Sequence, residues 1–385
     1  MELYVHFPFC RQKCRYCDFL SFPGQEDRME AYVLAILREA ELRKSEISDT
    51  VETVYFGGGT PSLLPVKALR SVIQGLRNRL PIAASAEWTV EANPGSIDSA
   101  WLTAAREEGI NRLSIGMQAA QDRLLKTLGR IHRSDDTIRS VKLARQAGFD
   151  NLNLDLIFGL PTQSRQEWLE TMDAALSLKP SHISAYGLIP EEGTPLWNDL
   201  QSGRLSLPEP EVEREMYDSL LLTMKNAGFI QYEISNFALP GFACQHNIGY
   251  WTQVSYVGLG LGAASMTCLH KDSKGGIRYL RRTALTDLDD YLDEVREGCL
   301  SWSEESWIEP RESCFETMML GLRMNQGVSE ESFQDLHGQT LESCYGPKLR
   351  HLEERGLLEH ASGRWKLTRL GMDLQNTALV ELMDD

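Results

Sequence analysis

Three cysteines within eight residues, Cys10, Cys14 and Cys17, constrain this chain more than any other stretch. They lie in residues 4–19, which read Tyr-Val-His-Phe-Pro-Phe-Cys-Arg-Gln-Lys-Cys-Arg-Tyr-Cys-Asp-Phe. Spacers of three and two residues let one short loop wrap three thiolates around one face of an iron–sulfur cube, whereas a fully protein-ligated cube takes a fourth cysteine. One iron is then open to a small molecule. The alternative reading is a structural zinc site, but zinc loops come as two cysteine pairs or with a histidine partner at fixed spacing, and no second pair follows. The remaining cysteines, Cys244, Cys268, Cys299, Cys314 and Cys344, are scattered singly and are expected to be buried small apolar residues.

Around that loop the chain alternates strand and helix patterns. Short apolar strands are predicted at residues 3–7, 51–56, 88–91, 112–115, 151–157 and 182–185, with amphipathic helices between them such as 29–44, 134–147 and 164–178. Six such units imply a parallel sheet whose functional groups gather at the strand C-terminal ends. The second strand runs into Gly57-Gly58-Gly59-Thr60-Pro61, where bare backbone can approach a ligand, although a glycine run alone reads first as a tight turn. Glu91, Gln118 and Asp155 stand in or after the third, fourth and fifth strands, and Arg130 in the turn after Leu128-Gly129. Singly, each is more often a cap, an ion-pair partner or a solvated residue. Asp155 is flanked by Leu154, Leu156, Ile157 and Phe158, so its carboxylate is expected to have a donor or ligand partner.

Past the sixth strand, residues 208–228 predict a helix with an acidic first turn, 231–238 a strand, and 287–297 a short helix. The glycines of Gly258-Leu-Gly-Leu-Gly alternate and so miss the dinucleotide spacing; they predict a strand and turn close to a ligand or a neighbouring backbone. Residues 308–385 read as three helices and a small β wing. Their 8 basic against 14 acidic residues argue against a nucleic-acid surface and for a lid or packing module. The whole chain of 385 residues carries a formal charge of −16, which disfavours nucleic acid and anionic lipid alike. Its first strand begins almost at Met1 and no apolar run approaches the roughly 18 residues of a membrane span, so a reducing cytosolic location with no transmembrane segment is expected.

The cysteine loop resembles that of the radical-SAM proteins, in which S-adenosylmethionine chelates the open iron of a 4Fe–4S cluster. The Tyr-Val-His-Phe-Pro-Phe-Cys run, the Gly-Gly-Gly-Thr-Pro loop, residues 111–118 (Asn-Arg-Leu-Ser-Ile-Gly-Met-Gln) and residues 153–161 (Asn-Leu-Asp-Leu-Ile-Phe-Gly-Leu-Pro) together resemble the anaerobic coproporphyrinogen III oxidase family over nearly the whole chain. That resemblance implies an α/β fold, a partial (β/α)6 radical-SAM barrel with a C-terminal helical, winged-helix-like domain. It implies cluster ligands at Cys10, Cys14 and Cys17. S-adenosylmethionine contacts would fall on Tyr4, Tyr16, Gly58, Gly59, Thr60, Glu91, Gln118, Arg130 and Asp155. The implied organisation is a barrel over 1–205, a barrel-completing region over 206–307 and a C-terminal domain over 308–385.

Two departures set this sequence apart from the oxidases of that family. Phe19 occupies the position of their fourth cysteine, and their extension before the first strand is absent. Both departures, together with His-Asn-x-x-Tyr-Trp at His246, Asn247, Tyr250 and Trp251, are shared with the family's haem-chaperone subgroup. The resemblance therefore implies a protein that binds the cluster, S-adenosylmethionine and haem and delivers haem to acceptor proteins, membrane-bound ones included, without coproporphyrinogen oxidase activity. The alternative is the oxidase itself, which decarboxylates coproporphyrinogen III to protoporphyrinogen IX. His246 is the expected haem ligand beside two aromatics able to pack on a porphyrin, although a histidine among aromatics is more often a hydrogen-bonded core residue. No Cys-x-x-Cys-His site is present, which argues against haem attachment of the cytochrome c type.

Overall fold

The six parallel strands owe their arrangement to a strict two-residue alternation. They are β1 (Glu2–Phe7), β2 (Val51–Gly58), β3 (Ile82–Ala92), β4 (Arg112–Gln118), β5 (Asn151–Phe158) and β6 (His182–Gly187). Leu3, Val5, Phe7, Val54, Phe56, Trp88, Val90, Leu113, Ile115, Leu152 and Leu154 are fully buried in one core. Between them stand Tyr4 and His6, Thr53 and Tyr55, Thr89 and Glu91, Arg112 and Ser114, and Asn153 and Asp155. Because successive side chains of a strand point to opposite faces, one face takes the helices and the other is polar. Parallel strands covered on both sides are normally apolar throughout, so a polar inner face marks a barrel that encloses chemistry.

The computed structural model describes residues 1–47, 49–271 and 277–383, with the side chains of all but 269–271 and 277. The last two residues of the expected 308–385 domain and residues 272–276 of the 206–307 region lie outside the described residues. Helices at Met29–Leu42, Val66–Arg79, Ser99–Glu107, Ser134–Gln146 and Arg165–Ser177 make the crossovers between parallel strands. The expected helix at 164–178 starts where its sequence says. Ser164 Oγ accepts from the Glu167 amide at 3.3 Å and Glu167 Oε2 accepts from the Ser164 amide at 3.0 Å, a reciprocal cap that leaves Trp168 buried against Phe158.

Six further strands extend the sheet: β7 (Ile230–Glu233), β8 (Asn236–Ala238), β9 (Tyr256–Leu259), β10 (Ala264–Lys271), β11 (Ile277–Ala284) and β12 (Trp302–Ile308). The order is β12-β11-β10-β9-β1-β2-β3-β4-β5-β6-β8-β7. The single strand expected at 231–238 is a tight antiparallel pair on the far edge. β9 runs parallel to β1, so the barrel has a seventh parallel strand beside its first. Of the two outcomes expected for the glycine run, close approach to backbone holds. A Cβ at Gly258 would meet the Ala264 carbonyl oxygen at 2.1 Å, and Gly260 has φ +98°.

The C-terminal residues build a separate core around Met318, Leu322, Phe333, Leu349 and Leu352. Helices Pro310–Gly321, Glu330–His337 and Leu341–Glu354 and a sheet of Val328–Ser329, Arg364–Leu367 and Leu358–Ala361 give the winged-helix arrangement. This unit docks on the barrel: Arg323 lies 4.5 Å over the Trp251 ring, and the Asn325 amide donates to the Tyr232 carbonyl at 3.0 Å. The expectation that all five scattered cysteines are buried holds only for Cys244 and Cys314. Cys268 and Cys299 are exposed and Cys344 is half-buried, because an exposed strand position and a loop after a helix end place no demand for an apolar side chain. Among the described residues no helix is long and apolar enough to cross a membrane.

Candidate functional site

The C-terminal ends of β2 to β6 and the cysteine loop enclose a cavity of about 470 Å³. Cys10, Cys14, Tyr16, Cys17, Gly58, Gly59, Thr60, Glu91, Gln118, Arg130 and Asp155 all line it. Tyr4 does not. It stands behind the glycine turn, 3.0 Å from where a Cβ at Gly57 would sit, and its hydroxyl bonds His6 Nδ1 at 3.1 Å. Among the described residues no three His, Cys, Asp or Glu side chains converge on a single ion; the cysteines form a wall rather than a point.

The glycine run is a tight turn, and its Gly58 and Gly59 line the cavity. Gly59 donates to the Phe7 carbonyl at 2.8 Å, and a Cβ there would lie 2.7 Å from the Phe9 carbonyl oxygen, so the turn must be bare to pack on the cysteine strand. Gly58, at φ +104°, donates its amide to Glu91 Oε2 at 3.2 Å. Around the thiols, Arg130 Nη1 donates to Cys14 Sγ at 3.4 Å and Arg130 Nη2 to the Gly116 carbonyl at 3.2 Å. Asn93 Nδ2 donates to Thr60 Oγ1 at 2.8 Å, and Thr60 reaches Cys10 Sγ at 3.5 Å. Gln118 adopts φ +59°, a left-handed backbone unusual outside glycine, and its buried Oε1 has no hydrogen-bond partner among the described residues.

The two carboxylates differ in their support. Asp155 accepts from Ser114 Oγ at 2.9 Å and Asn153 Nδ2 at 2.8 Å, so it has the donor partners its apolar flanks called for. Burial still raises its pKa, against those two donors. Glu91 accepts from the Tyr55 hydroxyl at 2.9 Å. Burial first and Asp155 second push Glu91 up to about 7, against the donors Tyr55 and Gly58 and the cation Arg112. The folded value lies above the ordinary 4.5, so between these pH values the folded chain binds a proton that the unfolded chain has released. This contribution to stability therefore declines as pH rises from 4.5 to about 7 and is level above. Glu91→Gln in cluster-free protein should flatten the fall of the urea midpoint over that window. An unchanged slope would assign the proton to another group, Asp155 first.

Tyr55, Asn93, Ser114 and Tyr186 also line the cavity and were missed in the sequence. Alternation could have found two of them: Tyr55 is two residues before Gly57, and Ser114 two after Arg112, on the inner face.

The His-Asn-x-x-Tyr-Trp residues are not brought to this cavity. They form the helix Gln245–Trp251, which closes the opposite, N-terminal mouth of the barrel. Glu87 of β3 caps it, accepting from the Gln245 amide at 3.0 Å and the His246 amide at 3.3 Å. His246 is 1% exposed; its Nδ1 bonds Thr53 Oγ1 at 2.7 Å and its Nε2 bonds the Tyr250 hydroxyl at 3.1 Å. Both ring nitrogens are therefore engaged, and a haem iron could reach them only if the helix left the barrel floor. Glu2 Oε2 stands 3.7 Å from Nδ1, but burial lowers the His246 pKa to about 3 and raises that of Glu2 to about 9, so the pair is neutral.

Comparison with known proteins decides the family. The sequence pattern of the Radical SAM superfamily matches residues 4–175, and that of the HemN C-terminal domain residues 308–374. The heme chaperone HemW of Bacillus subtilis (strain 168) is 36% identical over 97% of this chain and 96% of its own length. This chain belongs to the HemW family. The HemW of Escherichia coli (strain K12) is 34% identical over 98% of this chain and 97% of its own length. The solved structure of coproporphyrinogen III oxidase (HemN) from Escherichia coli superposes with a TM-score of 0.84 over 99% of this chain and 89% of that one; at 20% identity the likeness is one of fold.

Membership of the radical SAM superfamily implies a 4Fe–4S cluster and S-adenosylmethionine, and the residues here fit both. Three thiols share one wall of a cavity large enough for a cluster with a second ligand beside it. Gln118 Oε1, which has no hydrogen-bond partner among the described residues, the carboxyls of Glu91 and Asp155 and the guanidinium of Arg130 are polar groups of the kind that an amino acid and a ribose would require.

Proposed function

We propose that this chain is a haem chaperone that holds a 4Fe–4S cluster on Cys10, Cys14 and Cys17, binds S-adenosylmethionine in the cavity, and takes up haem for delivery to acceptor proteins in the cytosol or at the membrane. The observation that carries this reading is the match to proteins named heme chaperone HemW across nearly the full length of both chains. The cluster supplies one-electron redox chemistry when bound. This chain's own residues orient and shield: Tyr16 backs the cysteine loop against Leu125 and Leu128, Arg130 ties that loop to β4, and Glu91 and Asp155 present acceptors from the barrel wall. The rim carries Phe19 at 60%, Tyr186 at 41% and Ile189 at 71% exposure, an apolar edge suited to a flat ligand. Phe19 stands where the resemblance puts a fourth cysteine in the oxidases, and it offers no thiol for porphyrinogen chemistry.

For His246 to ligate haem, the helix Gln245–Trp251 has to open, because His246 is 1% exposed with both ring nitrogens engaged, whereas Asn247, Tyr250 and Trp251 are half-buried. The test is made on anaerobically reconstituted protein with S-adenosylmethionine and a reductant. Haem should bind with a defined Soret band, faster amide exchange across residues 245–251, and transfer to an apo haem protein, and coproporphyrinogen III should be left unconverted. Formation of protoporphyrinogen IX would establish the oxidase reading instead. A Soret band with unchanged exchange at 245–251 would exclude His246 as the haem ligand.

A further inference from the structure

Tyr55, in the barrel interior, touches both ends of the molecule's chemistry. Its hydroxyl donates to Glu91 Oε1 at 2.9 Å on the cavity side. On the floor side its ring stacks on His246, centroids 5.0 Å apart and planes 24° from parallel. The other ring near Tyr55 is Tyr4, at 6.2 Å and 26°. His246 is clamped in turn by Thr53 and Tyr250, and Gly249 beneath it is a glycine for cause: a Cβ there would lie 1.7 Å from Glu2 Oε1. Every member of this stack is buried or half-buried, so the rings cannot turn independently.

We propose that His246 is a positioning residue for the cofactor site: it fixes the Tyr55 ring, and through it the Glu91 carboxylate that faces the cavity. This rests on the reading that Glu91 contacts S-adenosylmethionine. Without the imidazole, Tyr55 gains a void on its lower face and its hydroxyl no longer holds Glu91 in one rotamer. Glu91 then keeps only the Gly58 amide at 3.2 Å, and the bound cofactor loses a pre-oriented acceptor.

The experiment measures S-adenosylmethionine affinity by calorimetry on cluster-loaded protein. His246→Ala and Tyr55→Phe should each weaken binding about 10-fold, the value of roughly one hydrogen bond to a charged group. The double variant should be no weaker than the worse single one, because both act through the same contact. His246→Phe, which keeps a flat ring against Tyr55, should recover most of the affinity, whereas a purely structural role would not follow ring stacking. Equal affinity in wild type and His246→Ala with the cluster spectrum intact would overturn the proposal. So would losses that multiply in the double variant. A wild-type protein that carries the cluster yet fails to bind S-adenosylmethionine would overturn the cofactor reading itself.

Discussion

Cys14→Ala should abolish the visible charge-transfer absorption of the cluster and its iron, and Cys10→Ala and Cys17→Ala should do the same. Three thiolates are the minimum that holds a cube with one iron open, and no other cysteine lines the cavity to replace a lost one. The variants should nonetheless fold. The loop is held by contacts that do not involve its thiols: the Arg15 amide donates to the Leu128 carbonyl at 2.9 Å, the Leu196 amide to the Arg15 carbonyl at 2.9 Å, and Gln12 Nε2 to the Gly129 carbonyl at 3.2 Å. Arg15 also pairs with Asp199. Circular dichroism and the urea midpoint of cluster-free protein are thus expected to match those of cluster-free wild type. Cys268→Ser and Cys299→Ser, both at exposed positions, should keep the full cluster. Retention of cluster iron in Cys14→Ala would break the ligand assignment, and zinc without iron in strictly anaerobic preparations would favour the zinc loop.

Arg112→Met should be the most destabilising single change inside the barrel. Arg112 is buried in β4, and its Nε has no hydrogen-bond partner among the described residues. Burial opposes its charge and the nearby Glu87 carboxylate favours it, whereas burial keeps the neighbouring Cys244, Tyr55 and Tyr232 protonated and neutral. It is also the cation that lowers the pKa of Glu91, Asp155 and the His246 ring. Removing one partner of a buried charge cluster leaves the others uncompensated and costs about 3–5 kcal/mol, here spread over the cap that Glu87 provides and the two cavity carboxyls. The loss should be larger at pH 8 than at pH 5, because protonation of Glu91, whose pKa burial raises to about 7, relieves the excess negative charge. A urea midpoint unchanged from wild type at pH 8 would show that the interior carboxyls are neutral without Arg112.

Much of this molecule was legible in one dimension because its signals are local. Strand patterns repeat every two residues, so the sequence already placed Glu91 and Asp155 in the third and fifth strands, with Arg130 in the turn after Leu128-Gly129. The helix at 164–178 announced its own start through Ser164 and Glu167. The glycine turn and the three cysteines carried their meaning in their spacing, and the extended motifs carried the family.

The sequence by itself therefore determined the α/β alternation, the cysteine loop and most of the cavity wall. Only the tertiary structure decided where β9 would insert, that Tyr4 would stand behind the glycines instead of on the wall, and that the His-Asn-x-x-Tyr-Trp helix would close the far mouth of the barrel. The physical reason is range. Thr53 and His246 meet across 193 residues of chain, and Glu87 meets the Gln245 amide across 158. A histidine among aromatics reads the same in sequence whether it faces a ligand or a hydrogen-bonded core. What separates the two is the set of partners that chain closure brings to its nitrogens, here Thr53 and Tyr250.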